Sequence, residues 1–105
     1  MSRDLLVEDA LQRQEAFRNL PEHLRTIKTT VQRLDAQAEI YLFGSVAEEK
    51  HSYSSDIDVL VITNLKPATV HAQLWKAKIK EPFEIHVHTR KEAEFFEGRA
   101  RLTKV

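Results

Sequence analysis

The chain contains no cysteine among its 105 residues. This absence excludes disulfide bonds, thiolate nucleophiles and zinc sites built on thiolates, and it favours a cytoplasmic location. The sequence also lacks the long uncharged apolar run of a signal peptide or a transmembrane helix. We therefore expect neither secretion nor a membrane location.

A net charge is missing as well, because 16 lysine and arginine residues balance 16 aspartate and glutamate residues. Without a basic excess, the chain has no general field that would hold a nucleic acid through counterion release. Nucleic acid is therefore not an expected partner. A plain RNA-binding domain would need a basic face, and the neutral composition does not predict one. Bound phosphates would instead require a metal ion or a local cluster of cations.

The remaining composition, 42% hydrophobic and 30% charged, is that of a globular chain of one domain, residues 1–105. Two amphipathic helices are predicted within residues 1–38. The first covers about residues 3–18, and the second opens at Asn19, which is expected to cap it, with apolar residues at helical spacing through Leu34. The apolar residues follow a heptad pattern for fewer than three heptads, which is too short for a coiled coil. We therefore expect this helix face to pack on a sheet rather than to form a coiled-coil partner site.

Residues 39–89 read as a small sheet, which makes the domain α/β or α+β. Strands are predicted at residues 40–43, 56–63 and 83–88, and a helix at residues 66–80. Residues 90–105 are expected to form a C-terminal helix and tail. The capping-box residues Thr89 and Glu92 open that helix, which runs through Phe96 and stops at Gly98.

Two carboxylates stand at the start of the second strand. Residues two apart in a strand point to the same face, so Asp56 and Asp58 project together. Two close carboxylates repel each other unless a cation lies between them, and a hard ion such as Mg²⁺ prefers oxygen ligands. Glu84, on the polar face of the third strand, would complete a set of three carboxylates if that strand neighbours the second. Such a set suits metal-assisted phosphoryl or nucleotidyl transfer.

A Gly-Ser pair precedes these carboxylates. Gly44 at a strand end permits a tight turn and a close backbone approach to a ligand, and Ser45 adds a hydroxyl and an amide. These donors suit a triphosphate. The pattern from Ile40 to Thr89 resembles the signature of the DNA polymerase beta superfamily of nucleotidyltransferases, and the short chain is similar to the minimal nucleotidyltransferases of archaea and bacteria.

The resemblance implies a nucleotidyltransferase fold, with a mixed sheet of three or more strands and helices mainly on one face. It implies that Gly44 and Ser45 bind the nucleotide, and that Asp56, Asp58 and Glu84 are the catalytic, Mg²⁺-binding carboxylates. The implied reaction transfers a nucleoside monophosphate, AMP from ATP, to an acceptor hydroxyl. The implied partner is a HEPN-type protein, for which the chain would serve as antitoxin; a homo-oligomer is a further alternative.

One departure from the family pattern leaves a second interpretation open. Residues 46–49 read Val-Ala-Glu-Glu, whereas many relatives carry an arginine and a glycine there. Phosphate contacts would then rely on Lys50, His51 or a partner chain. The alternative is a weakly active or inactive binding module of the same fold that neutralises a partner by forming a complex.

Other polar and aromatic features have simpler interpretations. His86 and His88 flank the third-strand carboxylate and are expected to be exposed or hydrogen-bonded rather than metal ligands. Trp75 and the Phe95-Phe96 pair are expected in the core or an interface rather than as base-stacking platforms. Residues 99–104, rich in arginine and lysine, are expected to be a frayed basic tail.

Overall fold

A computed structural model of the chain describes residues 2–49, 55–96 and 98–105. Five helices and four strands lie in these ranges. In chain order they are α1 (Ser2–Arg18), α2 (Leu20–Leu34), β1 (Glu39–Phe43), α3 (Gly44–Ala47), β2 (Ile57–Ile62), α4 (Pro67–Lys76), β3 (Phe83–His88), α5 (Arg90–Ala93) and β4 (Thr103–Lys104). None of the helices in the described ranges is long and apolar enough to cross a membrane.

The four strands form one mixed sheet in the order β3-β2-β1-β4. β2 pairs parallel with β3, and β1 pairs antiparallel with both β2 and β4. A mixed sheet with α/β layering confirms the predicted fold class. The three strands expected from the sequence are present, although β2 begins at Ile57 rather than at Asp56.

The main core lies between one face of the sheet and helices α2 and α4. Alternation along β2 sends Ile57, Val59 and Val61 to this face, where all three are fully buried. Ile27 of α2 and Leu74 of α4 pack into the same cluster, so the amphipathic face of α2 packs on the sheet. Leu34, at the end of that face, is exposed rather than buried.

The opposite face of the sheet carries a smaller apolar cluster. Leu60 and Ile62 of β2 are buried there with Ala93, and Phe43 and Phe96 pack against them. Because Asp58 shares a strand face with Leu60, the carboxylate lies on this second side. Among the residues that the structure describes, the helices of the main core lie on the other side of the sheet from this carboxylate.

Helix ends differ from the predictions in three places. Asn19 occupies the N-cap position of α2, but its side chain makes no cap hydrogen bond and donates instead to Oε1 of Glu15, 3.2 Å away. Helix α4 ends at Lys76, not Lys80, and Lys78 just beyond it adopts a left-handed φ of 67°. The predicted Thr89 capping box is confirmed, but α5 ends at Ala93 rather than running through Phe96.

The prediction of a frayed C-terminal tail is wrong. Thr103 and Lys104 form β4, paired with Leu42 and Tyr41 of β1. The backbone N–H of Val105 also donates to the carbonyl of Ile40 at 2.9 Å. Of the two positions expected for Trp75, the core is wrong, because its side chain is 63% exposed, and the interface stays a prediction. The Lys80 ammonium lies 4.4 Å from the Trp75 ring centroid.

Candidate active site

The register between β2 and β3 brings two of the predicted carboxylates together. Asp58 lies directly opposite Glu84 in the parallel ladder, and both point to the side of the sheet away from the main core. His86 follows two residues later on the same face of β3. Asp58, Glu84 and His86 form the group that we call the acidic cluster.

Side-chain distances in the acidic cluster are short. Nε2 of His86 lies 3.3 Å from Oδ1 of Asp58 and 3.8 Å from Oε1 of Glu84. One donor atom from each of the three residues lies within 4.8 Å of the other two. Two carboxylates and an imidazole at this spacing fit the donor set of a divalent cation. His86 was expected to be exposed or hydrogen-bonded, and it is hydrogen-bonded. The sequence did not predict that its partner would be Asp58.

Gly44 packs directly against Asp58. Its φ of +77° is left-handed, and a Cβ atom built on it would collide with Oδ2 of Asp58 and lie 3.3 Å from Cγ. Glycine is the residue that satisfies both conditions, because it has no Cβ and tolerates a positive φ. The Gly-Ser turn, which opens α3 with Ser45, is therefore in contact with the acidic cluster, although the sequence separates the two by more than ten residues.

Asp56 stands apart from the acidic cluster. Its side chain is 55% exposed and pairs with Nη2 of Arg13 on α1 at 3.9 Å. Arg13 is held in turn by Asp9, 3.3 Å from its Nε, and donates from Nη1 to the carbonyl of Ser55 at 3.3 Å. A cavity of about 310 Å³ lies between Arg13, Asp56 and Glu84, so Glu84 borders both the cavity and the cluster.

Sequence reasoning missed Arg13 and His86 as site residues. The polar face of α1 carries several charged residues, and no periodicity indicates which of them meets the sheet. His86 and His88 look equivalent in the sequence because both alternate with apolar residues. The register separates them, since Nδ1 of His88 lies 3.5 Å from Oε1 of Glu92 instead.

The Glu92 carboxylate, next to His88, has a shifted pKa. Its pKa lies below the ordinary value, chiefly because the backbone N–H of Thr89 donates to Oε1 at 2.9 Å, with His88 adding a smaller attraction. Glu92 therefore stays ionised in the capping box over a wider pH range than a free glutamate.

The segment that follows the Gly-Ser turn contains no cation in its described part. Val46 is buried in the main core, whereas Glu48 and Glu49 are exposed. Glu49 has a left-handed φ of 59°. Lys50 and His51, the predicted alternative phosphate contacts, lie outside the described residues.

Comparison with known families shows to which protein family the chain belongs. The family model of the nucleotidyltransferase domain matches residues 24–104. The chain belongs to the nucleotidyltransferase domain family. The family confirms the resemblance that the Gly-Ser and Asp-x-Asp pattern indicated, and it makes the protein a transferase of nucleotidyl groups.

Solved structures agree with this assignment. The crystal structure of a protein that carries a provisional assignment as a nucleotidyltransferase is 29% identical to this chain, with a TM-score of 0.61, over 79% of this chain and 97% of its own. A second, from Sulfolobus solfataricus and assigned in the same provisional way, is 20% identical with a TM-score of 0.50, over 90% of this chain and 85% of its own. At that identity the second shows the fold alone. No curated protein matches the chain significantly.

The nucleotidyltransferase family usually works with a divalent metal ion. The acidic cluster of this nucleotidyltransferase domain has the donor atoms for one, as its 4.8 Å spacing shows. Asp58 and Glu84 therefore lie where such an ion would be expected, and the Gly-Ser turn lies beside them.

Proposed function

We propose that this nucleotidyltransferase transfers AMP from ATP, with Mg²⁺, to an acceptor hydroxyl. The observation that supports this most is the contact of Gly44 with Asp58, together with the pairing of Asp58 and Glu84 across β2 and β3. This arrangement puts the turn that would bind a triphosphate next to the carboxylates that would bind its metal.

The proposed roles follow from the side chains available. Asp58 and Glu84 would hold Mg²⁺ in the acidic cluster, and Asp56 would join them from the cavity that it lines together with Glu84. When bound, the ion would neutralise charge on the triphosphate and on the leaving pyrophosphate. Gly44 and Ser45 would position the triphosphate. In the reaction the acceptor oxygen bonds to the α-phosphorus, the bond from that phosphorus to the bridging oxygen of the β-phosphate breaks, and Glu84 accepts the acceptor proton. Positioning and charge neutralisation carry most of such a transfer.

Arg13 and His86 would support these carboxylates. Arg13 is a cation beside the cavity that Asp56 and Glu84 border, and it would contact phosphate where residues 46–49 offer none. His86 touches both carboxylates of the acidic cluster and would hold their orientation. His86 would thus be a positioning residue, whereas Arg13 would contact the substrate itself.

We propose further that the acceptor is a hydroxyl on a HEPN-type partner protein and that the chain acts as its antitoxin in the cytoplasm. The family resemblance of the Gly-Ser and Asp-x-Asp segment supports this acceptor, and the absence of cysteine is consistent with that compartment.

A second candidate is a binding module that neutralises such a partner without transfer. The exposed acids Glu48 and Glu49, in the place of the expected cation, favour it. The two candidates differ in whether the carboxylates of the site are needed for more than folding and docking.

The deciding experiment incubates the protein with α-labelled ATP, Mg²⁺ and the product of the adjacent gene. For the transferase we expect label on the partner and a loss of at least about 100-fold in Asp58→Asn, because that change removes a metal-binding charge. Glu22→Gln, which neutralises an exposed acid at the start of α2, should label normally. Tight complex formation by both variants, with no label in any reaction, would support the binding module instead.

A further inference from the structure

An open cleft lies next to α5, away from the cavity beside Arg13. It has a volume of about 740 Å³ and is lined mainly by apolar surface from His88, Phe95, Phe96 and Arg99. This size lies within the range of small-molecule sites. We call it the aromatic cleft.

Phe95 presents most of its ring to the cleft opening. Its side chain is 71% exposed, so Phe95 is not a core residue, and the alternative of an interface position stays a prediction. The Arg99 guanidinium lies 5.1 Å from the ring centroid, and its Nη1 donates to the carbonyl of Phe95 at 3.0 Å. The ring and the guanidinium are planar groups held against each other, which is a surface suited to stacking of a flat, electron-rich ring.

A line of ring contacts joins the aromatic cleft to the acidic cluster. Phe96 lies 5.2 Å from His88 and 5.6 Å from Phe43, measured between ring centroids. Phe43 lies 5.1 Å from His86, which belongs to the acidic cluster. His86 and His88 are two residues apart on one strand face, a separation of about 7 Å. The cleft, which His88 lines, and the carboxylates beside His86 therefore lie on the same side of the sheet.

We propose that the aromatic cleft binds the nucleobase of the nucleoside triphosphate whose phosphates occupy the acidic cluster. This inference rests on the proposed function. A nucleobase fits because its flat face can stack on Phe95, while Lys91, Glu92 and Glu94 at the rim offer donors and acceptors to its polar edge. The cleft would supply, within this domain, the contact to the base.

The test measures binding of two ligands to the full-length protein in Mg²⁺ by calorimetry: ATP, and inorganic tripolyphosphate, which has no base. Phe95→Ala should weaken ATP binding about ten-fold, the effect of losing one base stack, and leave tripolyphosphate binding unchanged. Phe95→Tyr keeps the ring and should restore ATP binding. Phe95 is exposed, so these variants should fold, and circular dichroism checks that they do.

Trp75→Ala is the matched control, because Trp75 is another exposed aromatic paired with a cation, Lys80, and lies outside the cleft. It should bind ATP like the unchanged protein. Equal ATP binding by Phe95→Ala, an equal loss for both ligands, or an equal loss in Trp75→Ala would each overturn the nucleobase site while leaving the transferase intact. If neither ATP nor tripolyphosphate binds the unchanged protein, the proposed function fails, and the nucleobase site fails with it.

Discussion

At the scale of single residues, Gly44 links backbone conformation to the site. It has the same positive φ as the other glycine, Gly98, at 77° and 78°. The two differ in their surroundings, because Asp58 fills the space beside Gly44, whereas no atom of the described residues lies within 4 Å of a Cβ built on Gly98. Alanine substitutions at the two glycines therefore distinguish two effects on stability. Both introduce an alanine with a left-handed φ, but only the substitution at Gly44 also displaces a carboxylate.

We expect Gly98→Ala to lower the free energy of unfolding by about 1–2 kcal/mol, the cost of a left-handed alanine. Gly44→Ala should lower it by a further 1–3 kcal/mol or so, because the added methyl group overpacks against Asp58. Urea denaturation of both variants measures the difference. Equal losses would mean that Asp58 moves aside without cost and that Gly44 serves the backbone alone.

At the scale of elements, β4 makes β1 an interior strand. β4 contributes only Thr103 and Lys104, but the next residue, Val105, extends the contact by donating to Ile40 and packing against the main core. Nζ of Lys28 on α2 donates to the Val105 carbonyl at 3.1 Å. The C-terminal residues thus tie a helix to the strand that leads into Gly44.

Removing residues 103–105 should therefore lower the free energy of unfolding by about 1–3 kcal/mol, the net worth of two or so hydrogen bonds. Hydrogen exchange should quicken at the β1 amides that face β4. Arg101→Ala, which changes an exposed side chain ahead of β4, is the control and should leave both quantities unchanged. A truncated chain as stable as the unchanged one would show that β4 adds nothing to the stability of the sheet.

At the scale of the whole molecule, α1 lies outside the matched family segment, residues 24–104, yet reaches the site. Ala16 is buried in the main core, and Nε2 of Gln12 donates to the carbonyl of Glu81, ahead of β3, at 2.7 Å. Arg13 makes the neighbouring contacts, to Ser55 and Asp56. The adjacent residues Gln12 and Arg13 thus both anchor α1, Gln12 through an uncharged side chain and Arg13 through a charged one.

If the proposed function holds, Arg13→Gln should raise the KM for ATP about ten-fold, because it removes a cation near the proposed phosphate site, with a smaller change in kcat. Arg13→Lys should restore part of the loss. Gln12→Ala removes the uncharged anchor and should leave the KM unchanged. If the Arg13 and Gln12 variants alter stability and KM to the same extent, Arg13 is an anchor of α1 and nothing more.

Much of the fold could be predicted because the relevant signals are local. Apolar runs ended by Gly44 and begun after Pro82 mark β1 and β3, and the spacing of Thr89 and Glu92 marks a capping box. The roles of Gly44, Ser45, Asp56, Asp58 and Glu84 remain predictions, although the structure brings Gly44, Asp58 and Glu84 into one place.

The sequence by itself determined the alternation along β2 and β3, and with it the face on which Asp58 and Glu84 stand, because strand periodicity is a property of the local chain. The tertiary structure alone decided the rest. Strand register brings His86 next to the carboxylates, whereas His88 contacts Glu92. Packing of α1 decides that Arg13, among the charged residues of that helix, contacts Asp56. Pairing with β1 made a strand of Thr103 and Lys104. Each depends on residues far apart in the chain, for which no local pattern carries a signal.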